Sequence, residues 1–233
     1  NPNSEIVIGQ SPILNHPVAD LFASDAEPSR PREASANEPL AARMRPRTLD
    51  EILGQDHILG QGKLLRRAIE SDRFTSLIFY GPPGTGKTTL ADVIARTTGS
   101  RFEALNGVES NVAEIRAKID QARTYRDLRD QTTVLFIDEI HRFNKAQQDV
   151  LLPHIEKATV RFIGATTHNP YFYVNSPLVS RSQIFELESV SSECLIQLLE
   201  RAISDVDRGF GSMAIEAESE ALRHLAEMSD GDV

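Results

Sequence analysis

Short apolar runs alternate along the chain with segments whose apolar residues recur every three or four positions. Buried strands are predicted for the apolar runs 77–80, 133–137, 160–163 and 183–187. Helices are predicted for 88–96, for the residues after Val112 and for those around 150–155, and Gly99 is typical of the position just after a helix. Because strands alternate with helices, the pattern predicts an α/β fold with a parallel sheet, right-handed crossovers and helices on both faces.

The two ends of the chain differ from this alternating part. Residues 1–38 mix proline with Ser, Asn and Glu and show no sustained period, which is typical of a flexible tail. Near the other end, one helix is predicted from Ser191 or Ser192 to Ser204 and another over 215–228. We therefore expect a flexible N-terminal tail, a nucleotide-binding α/β domain and a partial helical lid domain, over residues 1–38, 39–188 and 189–233.

The composition excludes several classes of protein. The chain has 233 residues, of which 40% are hydrophobic, so a packed core is expected and collagen-like or wholly disordered chains are excluded. Cys194 is the single cysteine and cannot form an internal disulfide; we interpret it as a small packing residue, with a redox role as the alternative. No apolar run approaches the roughly 18 residues of a membrane span, and no signal peptide is evident, so a cytoplasmic location is expected.

The formal net charge of -9 is unevenly distributed. Residues 1–40 hold 2 basic and 6 acidic side chains and residues 189–233 hold 3 basic and 10 acidic ones, whereas residues 41–188 carry a net charge of +2. A broad nucleic-acid surface normally shows as a clustered excess of Lys and Arg. Any contact with DNA is therefore expected to be local.

Two basic clusters allow alternative interpretations. The first is a stripe of three arginines that recur every three residues: Arg123, Arg126 and Arg129. This stripe either follows the phosphates of a nucleic acid or, as we favour, forms a solvent-exposed face interleaved with Asp120, Asp127 and Asp130. The other follows the strand at 133–137 and is equally consistent with a DNA-facing patch or with ion pairs at the start of a helix; it consists of His141, Arg142 and Lys145.

A glycine-rich segment follows the first predicted strand and matches the eight-residue phosphate-loop pattern. It consists of Gly81, Pro82, Pro83, Gly84, Thr85, Gly86, Lys87 and Thr88, with Thr89 next. In such a loop the backbone N–H groups surround the β- and γ-phosphates, Lys87 supplies a positive charge and the Thr88 hydroxyl ligates Mg²⁺. The alternative is a glycine-rich turn that binds no ligand, but the flanking strand and helix favour the phosphate loop.

Two carboxylates end the second predicted strand. Asp138 and Glu139 follow four apolar residues and are therefore expected at the carboxyl edge of the sheet, beside the phosphate loop. There Asp138 would hold Mg²⁺, largely through water, and Glu139 would polarise the attacking water. A charged strand end that faces solvent is the alternative. Together the two motifs predict hydrolysis of a nucleoside triphosphate, with ATP and Mg²⁺ as cofactors.

Two further motifs make the chain resemble the AAA+ ATPases of the clamp-loader group. The next strand ends in Gly164-Ala165-Thr166-Thr167, and Ser180-Arg181 precedes the last strand. The resemblance implies that Thr166 is the sensor 1 residue that orients the catalytic water, and that Arg181 is a finger that reaches the γ-phosphate of a neighbouring subunit, which requires an oligomer. A hydroxyl bonded to its own backbone and a surface ion pair are the alternatives for these two residues.

Longer segments resemble the replication-associated recombination protein A family, also called maintenance of genome stability protein A, whose eukaryotic relative is the Werner-helicase-interacting protein. These segments are 40–46, 49–57, 138–149, 151–154, 164–167 and 169–172. The resemblance implies a P-loop AAA+ fold with a parallel sheet flanked by helices, followed by a truncated small helical lid. It also implies base-side contacts from Arg45, Pro46 and Ile58. His168 stands where the family usually has Glu.

The same resemblance implies parts that lie beyond this sequence. The family's sensor 2 arginine follows a Gly-Asp pair, and the chain ends Gly231-Asp232-Val233, so we expect that arginine beyond Val233. The family's C-terminal tetramerisation region is expected there too. We therefore expect this chain alone to hydrolyse ATP weakly.

The function implied is a DNA-dependent ATPase in replication, repair and recombination, acting as a homo-oligomer at stalled forks or gaps on forked, gapped or single-stranded DNA. The alternative is a nucleotide-gated switch that docks on a sliding clamp or single-strand-binding protein without motor activity, and a third hypothesis is a hexameric branch-migration motor. The run 18–22 resembles a clamp-docking peptide without its Gln; otherwise Leu21 and Phe22 would pack on the domain surface.

Overall fold

Five parallel strands form one sheet, in the order β2-β3-β4-β1-β5. The computed structural model describes residues 38–213 and 215–229, so all of the expected tail over 1–38 except its last residue lies outside the described residues, as do the clamp-like run and the segment 230–233. In chain order the strands are β1 Ser76–Tyr80, β2 Arg101–Asn106, β3 Thr133–Asp138, β4 Arg161–Thr166 and β5 Gln183–Glu186. The predicted parallel α/β sheet is thus confirmed.

The register of the sheet brings the chemically important strand ends to one edge. Tyr80 of β1 pairs with Thr166 of β4, and Asn106 of β2 pairs with Asp138 of β3. All four residues end their strands, and parallel strands share one carboxyl edge. Ligands of open α/β sheets bind at that edge.

Strand β2 was not predicted by the hydrophobic pattern. Its sequence alternates charged with apolar residues, and Glu103 in its middle is buried. Lys118 lies 2.6 Å from one carboxylate oxygen of Glu103, and Arg101 pairs with the other. These two ion pairs neutralise a charge that would otherwise make a buried strand unfavourable. The pair with Lys118 joins residues 15 positions apart in sequence.

Helices cover both faces of the sheet. Those in the described residues are α1 Leu40–Arg43, α2 Asp56–Leu59, α3 Leu64–Glu70, α4 Lys87–Thr97, α5 Val112–Arg129, α6 Lys145–Glu156, α7 Pro170–Tyr173, α8 Ser176–Val179, α9 Ser192–Ser204 and α10 Ser219–Met228. Short 3₁₀ turns occupy 49–51, 140–142 and 211–213. Gly99 lies just beyond the end of α4 in the left-handed conformation, as expected of a C′ residue.

Two apolar layers lie on the two faces of the sheet. Leu77 and Phe79 of β1 belong to one layer, with α3 and α4, whereas Ile78 belongs to the other, with α5 and α6. This alternation follows from the two-residue period of a strand, and burial of both faces explains why β1 and β3 are almost continuously apolar.

Two amphipathic helices follow the sheet. Helices α9 and α10 pack together, and a small apolar cluster joins Val190, Leu195 and Ala226. The predicted start of the last helix at Ile215 is wrong: α10 begins at Ser219, since Ile215 is exposed and the buried stripe of this helix starts at Leu222. The domain boundary at 188–189 stays a prediction.

No helix in the described ranges is both long and apolar enough to cross a membrane.

Candidate active site

A cavity of about 440 Å³ opens at the carboxyl edge of the sheet. Four parts of the chain border it: the segment before β1, the glycine-rich loop with the start of α4, the end of β3 with the turns after β3 and β4, and helix α9 with Val190, two residues before it. The lining residues on which the site depends are Arg45, Pro46, Pro83, Gly84, Thr85, Gly86, Lys87, Thr88, Thr89, Asp138 and Glu139.

The glycine-rich loop connects β1 to α4. Gly81 donates its backbone N–H to the carbonyl oxygen of Thr166 (3.3 Å), and Thr85 Oγ1 donates to the carbonyl oxygen of Pro82 (3.0 Å). Gly81 and Pro82 form the base of the loop and do not line the cavity, unlike the rest of the predicted motif. The 11-residue helix α4 starts at Lys87, so its positive end and free N–H groups lie at the cavity, where they favour an anion.

Lys87 is held inside the loop. Its side chain is buried, and Nζ donates to the carbonyl oxygens of Gly81 (2.9 Å) and Pro82 (2.6 Å). Burial lowers the pKa of the Lys87 ammonium, although Asp138 and Glu139 act in the opposite direction. A buried ammonium beside a cavity that also receives a helix N-terminus forms a site suited to phosphate.

The strand end of β3 turns sharply so that both carboxylates line the cavity. Asp138 Oδ1 accepts a hydrogen bond from the backbone N–H of Glu139 (3.0 Å). Glu139 itself has a φ of 52°, in the left-handed region that a residue with a Cβ rarely adopts. Strain of this kind is often retained at functional sites, where it aims a side chain.

Thr166 lies behind the cavity wall rather than on it. The residue is fully buried, and its neighbour Thr167 borders the cavity instead. Thr166 Oγ1 accepts a hydrogen bond from the backbone N–H of His168 (3.0 Å) and lies 2.9 Å from His141 Nδ1. His141 is therefore part of this buried cluster, and a DNA-facing role for it is not supported.

Arg181 lies outside the cavity of its own chain. Its Nε donates to Glu156 Oε1 (2.6 Å) and its Nη1 to the carbonyl oxygen of Pro177 (3.0 Å), while 42% of the side chain is exposed. The structure therefore shows the surface ion pair that was the alternative interpretation of this residue. An exposed position away from the chain's own cavity is also what a finger acting on a neighbouring subunit requires.

The predicted base-side residues divide into two groups. Arg45 and Pro46 line the cavity, whereas Ile58 does not and packs against the apolar core. Gln55, in the same segment, is buried and fixes it to the strand end through two hydrogen bonds with the backbone of Glu188 (2.8 and 3.2 Å).

The hydrophobic pattern did not identify the apolar wall of the cavity. This wall consists of Ala41, Met44, Ile52, Leu53, Val190, Cys194 and Leu198. The four-residue spacing of Cys194 and Leu198 on an amphipathic helix was the available signal, but an apolar helix face alone does not distinguish a core contact from a pocket wall. Cys194 also packs against the small cluster of α9 and α10, in agreement with its predicted packing role.

The donor set suits a hard divalent cation shared with phosphates. In the ranges that the structure describes, no group of three or more His, Cys, Asp or Glu residues could hold a metal ion by itself. Thr88 and Asp138 nevertheless line the same cavity as the phosphate loop. A hydroxyl and a carboxylate that leave positions open for water and phosphate oxygens fit Mg²⁺.

Comparisons with known proteins agree with this geometry. The family model "ATPase family associated with various cellular activities (AAA)" matches residues 77–190. The chain is similar to Replication-associated recombination protein A of Escherichia coli (strain K12), with 51% identity over 84% of this chain and 43% of that protein. It is also similar to the protein of that name in Haemophilus influenzae, with 49% identity over 83% of this chain and 43% of that protein. A third relative is ATPase WRNIP1 of Dictyostelium discoideum, with 41% identity over 83% of this chain and 22% of that protein. The chain thus spans less than half the length of these relatives.

Among solved structures, the chain resembles the Thermotoga maritima RuvB Holliday junction branch migration motor. The TM-score is 0.63 at 32% sequence identity, over 81% of this chain and 61% of that one.

Proposed function

The chain belongs to the replication-associated recombination protein A family of AAA ATPases, and on that premise we propose that it binds ATP with Mg²⁺ and hydrolyses it to act on DNA during replication, repair and recombination. The observation that supports the chemistry most directly is that Lys87, Thr88, Asp138 and Glu139 line one cavity at the start of α4. A phosphate-binding helix terminus, a metal-binding pair and a candidate base are thus within one site.

The loop and α4 bind the phosphates in this proposal. The N–H groups at the start of α4 and the Lys87 ammonium neutralise the β- and γ-phosphates, for which Lys87 exchanges its bonds to Gly81 and Pro82. Thr88 and Asp138 hold Mg²⁺, which neutralises charge on the phosphate oxygens.

Glu139 orients and deprotonates the attacking water. The water oxygen forms a bond to the γ-phosphorus as the bond from that phosphorus to the oxygen shared with the β-phosphate breaks. The water proton passes to the Glu139 carboxylate, and ADP and inorganic phosphate result. This assignment is supported by the position of Glu139 on the cavity wall next to Asp138.

Thr166 and Arg181 complete the proposed machinery. Thr166, at the end of β4, is assigned to sense the γ-phosphate and orient the water through its buried hydroxyl network. Arg181 is assigned to the site of the next subunit, where it stabilises charge on the transferred phosphoryl group. We therefore propose a homo-oligomer, a tetramer in the full-length protein, with ATP sites between subunits.

The adenine is proposed to bind on the apolar wall. Arg45 and Pro46 flank this wall, which α9 completes from the other side. Arg45 is exposed and is suited to lie over a purine face. Ile58 contributes only indirectly, by supporting the core beneath the segment.

The DNA part of the proposal is supported by the names of two relatives, one named for recombination associated with replication and one for Holliday junction branch migration. The stripe on α5 gives little support. Two of its arginines pair with acidic side chains of the same helix: Arg126 Nε lies 3.3 Å from Asp127 Oδ1, and Arg123 Nη1 lies 3.9 Å from Asp120 Oδ1. The guanidinium of the third, Arg129, lies over the Tyr125 ring. We propose forked, gapped or single-stranded DNA as the effector, with a sliding clamp or single-strand-binding protein as a further partner, in the cytoplasm at the nucleoid.

ATP binding and turnover by the full-length protein test the site. Lys87→Ala is expected to abolish both, because it removes the side-chain cation that each subunit is proposed to supply to the phosphates in its own cavity. Lys157→Ala, an exposed lysine at the end of α6, is the matched control and should leave both unchanged. Normal ATPase activity in Lys87→Ala would reject the site.

A further inference from the structure

A buried histidine lies between the proposed base and the proposed sensor. The His141 side chain is 6% exposed and follows Glu139 by two residues, in the 3₁₀ turn after β3. One ring nitrogen, Nδ1, lies 2.9 Å from Thr166 Oγ1, and the other, Nε2, lies 3.2 Å from Glu139 Oε2. The ring therefore spans the gap between the ends of β3 and β4.

The hydrogen bonds around Thr166 indicate which atoms of Thr166 and His141 donate a proton and which accept one. The backbone N–H of His168 donates to Thr166 Oγ1, so this hydroxyl is already an acceptor and has its own proton to donate. Two acceptors face that proton: His141 Nδ1, 2.9 Å from Oγ1, and the backbone carbonyl oxygen of His168, at 3.3 Å; we assign the proton to the nearer one, His141 Nδ1. The proton of the neutral imidazole is then on Nε2, which faces the Glu139 carboxylate; this tautomer is assigned from the network.

Nε2 has no well-directed hydrogen bond in the described residues although it is buried. The carboxylate of Glu139 is within ion-pair range but off the direction that a hydrogen bond requires. A buried donor without a well-aligned acceptor is costly, so a small rotation of the Glu139 side chain toward Nε2 is favourable. Such a rotation would fix one carboxylate oxygen and leave the second for the water.

The surroundings of the ring hold it in place and keep it neutral. His168 packs edge-on against His141 with ring centroids 4.5 Å apart, and Tyr173 lies 4.7 Å from His168. Burial lowers the pKa of His141; Glu139 opposes this shift, and His168 and Arg142 add to it. A neutral ring can accept on one nitrogen and donate from the other at the same time.

We propose that His141 is a positioning residue that orients the Glu139 carboxylate and couples its orientation to the Thr166 hydroxyl. The inference rests on the proposed ATP hydrolysis and deepens it. When the γ-phosphate binds, the Thr166 hydroxyl at the end of β4 changes its orientation. The His141 ring transmits this change to the Glu139 carboxylate after β3. The base is then aligned only when the phosphate is in place.

Three substitutions of His141 separate its two contacts. His141→Phe keeps a ring and removes both nitrogens. His141→Gln places an amide nitrogen near the position of Nε2, and His141→Asn places an amide group near that of Nδ1. His154→Phe, which replaces another partly buried histidine whose pKa is also lowered by burial, is the matched control, since His154 is not one of the residues of the network.

Steady-state ATP hydrolysis, ATP affinity and thermal unfolding of the full-length protein are the measurements. We expect His141→Phe to lower kcat by roughly 10²-fold, as a misplaced catalytic group does, with ATP affinity and Tm close to those of the unmodified protein. His141→Gln should recover part of kcat, because it again offers a donor to Glu139, and His141→Asn should not. The control should match the unmodified protein.

Each other outcome has a definite meaning. An unchanged kcat in His141→Phe, or equal recovery by Gln and Asn, would overturn the positioning role while leaving ATP hydrolysis intact. A loss of ATP affinity as large as the loss of kcat would show a binding role and would also overturn it. If His141→Phe fails to fold, the comparison of Gln with Asn decides. Absence of turnover in the unmodified protein would instead reject the proposed function.

Discussion

Gly81 lies against the backbone of Leu187, so close that a Cβ added to Gly81 would collide with the Leu187 carbonyl oxygen. The contact arises because Leu187, just after β5, donates its N–H to the carbonyl oxygen of Tyr80 (2.7 Å), the residue before Gly81. Gly81 also has a φ of 151°, which side chains rarely tolerate. The base of the phosphate loop and the exit from the sheet are thus packed backbone against backbone.

Gly81→Ala is therefore expected to destabilise the protein by roughly 3 kcal/mol or more, since backbone strain and overpacking both contribute. Gly99→Ala is the matched control: its φ is also positive, but a Cβ there meets no atom within 4 Å, so only about 1–2 kcal/mol is expected. Urea unfolding measures both. An equal loss of unfolding free energy in the two variants would show that the contact with Leu187 relaxes at little cost.

Glu139→Gln should separate binding from chemistry. The amide keeps the size of the side chain and removes the base, so ATP affinity is expected to persist while turnover falls roughly 10²- to 10⁴-fold. Glu227→Gln on α10 is the control for a surface carboxylate and should leave turnover unchanged. Turnover that survives in Glu139→Gln would assign the base to another residue.

Arg181→Ala tests the finger assigned to the neighbouring subunit. Because Arg181 lies outside the cavity of its own chain, ATP affinity should be retained, whereas hydrolysis by the assembled oligomer should fall by roughly 10³-fold or more. Glu156→Gln is the control, since it weakens the 2.6 Å ion pair of Arg181 without removing the guanidinium. That variant should keep its activity. An equal loss of ATP binding and hydrolysis in Arg181→Ala would contradict a role in the next subunit.

A pH dependence is expected from Glu51. Burial tends to raise the pKa of its carboxyl, but the hydrogen bond from Arg208 (2.9 Å), together with that from the Arg47 N–H, outweighs burial, and the net pKa is lowered. The folded state therefore binds the Glu51 proton less tightly than the unfolded state does. Ionised Glu51 stabilises the folded state above pH 4.5, the ordinary pKa of this group, and this stabilisation is lost as the pH falls through the lower pKa of the folded state.

Glu51→Gln should therefore lower the free energy of unfolding by on the order of 1 kcal/mol at neutral pH, and the difference should shrink in acid. Urea unfolding of both proteins at neutral pH and below pH 4.5 measures it. Glu216→Gln, an exposed glutamate before α10, is the control. A difference that persists unchanged in acid would mean that the Gln side chain disturbs packing rather than removing the ion pair.

The sheet and the phosphate side of the site could be predicted because each depends on local sequence. An apolar run such as 133–137 needs burial on both faces, and the carboxylates that follow it must then lie at the strand end. The glycine pattern likewise specifies a turn between a strand and a helix. Confirmation of four predicted strands and of helix α4 follows from these local causes.

The parts that were missed depend on distant partners. Strand β2 contains Glu103, whose buried charge is neutralised by Lys118, 15 residues later. The contact of His141 with Thr166 joins residues 25 positions apart, so no local pattern indicated it. Ile58 was assigned to the base side by resemblance, but its segment is fixed through Gln55 and turns Ile58 to the core.

The central claim is that ATP turnover at this cavity is controlled by DNA. Steady-state ATP hydrolysis by the full-length protein, with and without forked or gapped DNA and with Lys87→Ala as the blank, tests it most directly. The account predicts strong stimulation by DNA that Lys87→Ala abolishes. Slow turnover that is the same with and without DNA would contradict it and would favour a nucleotide-gated switch that docks on another protein.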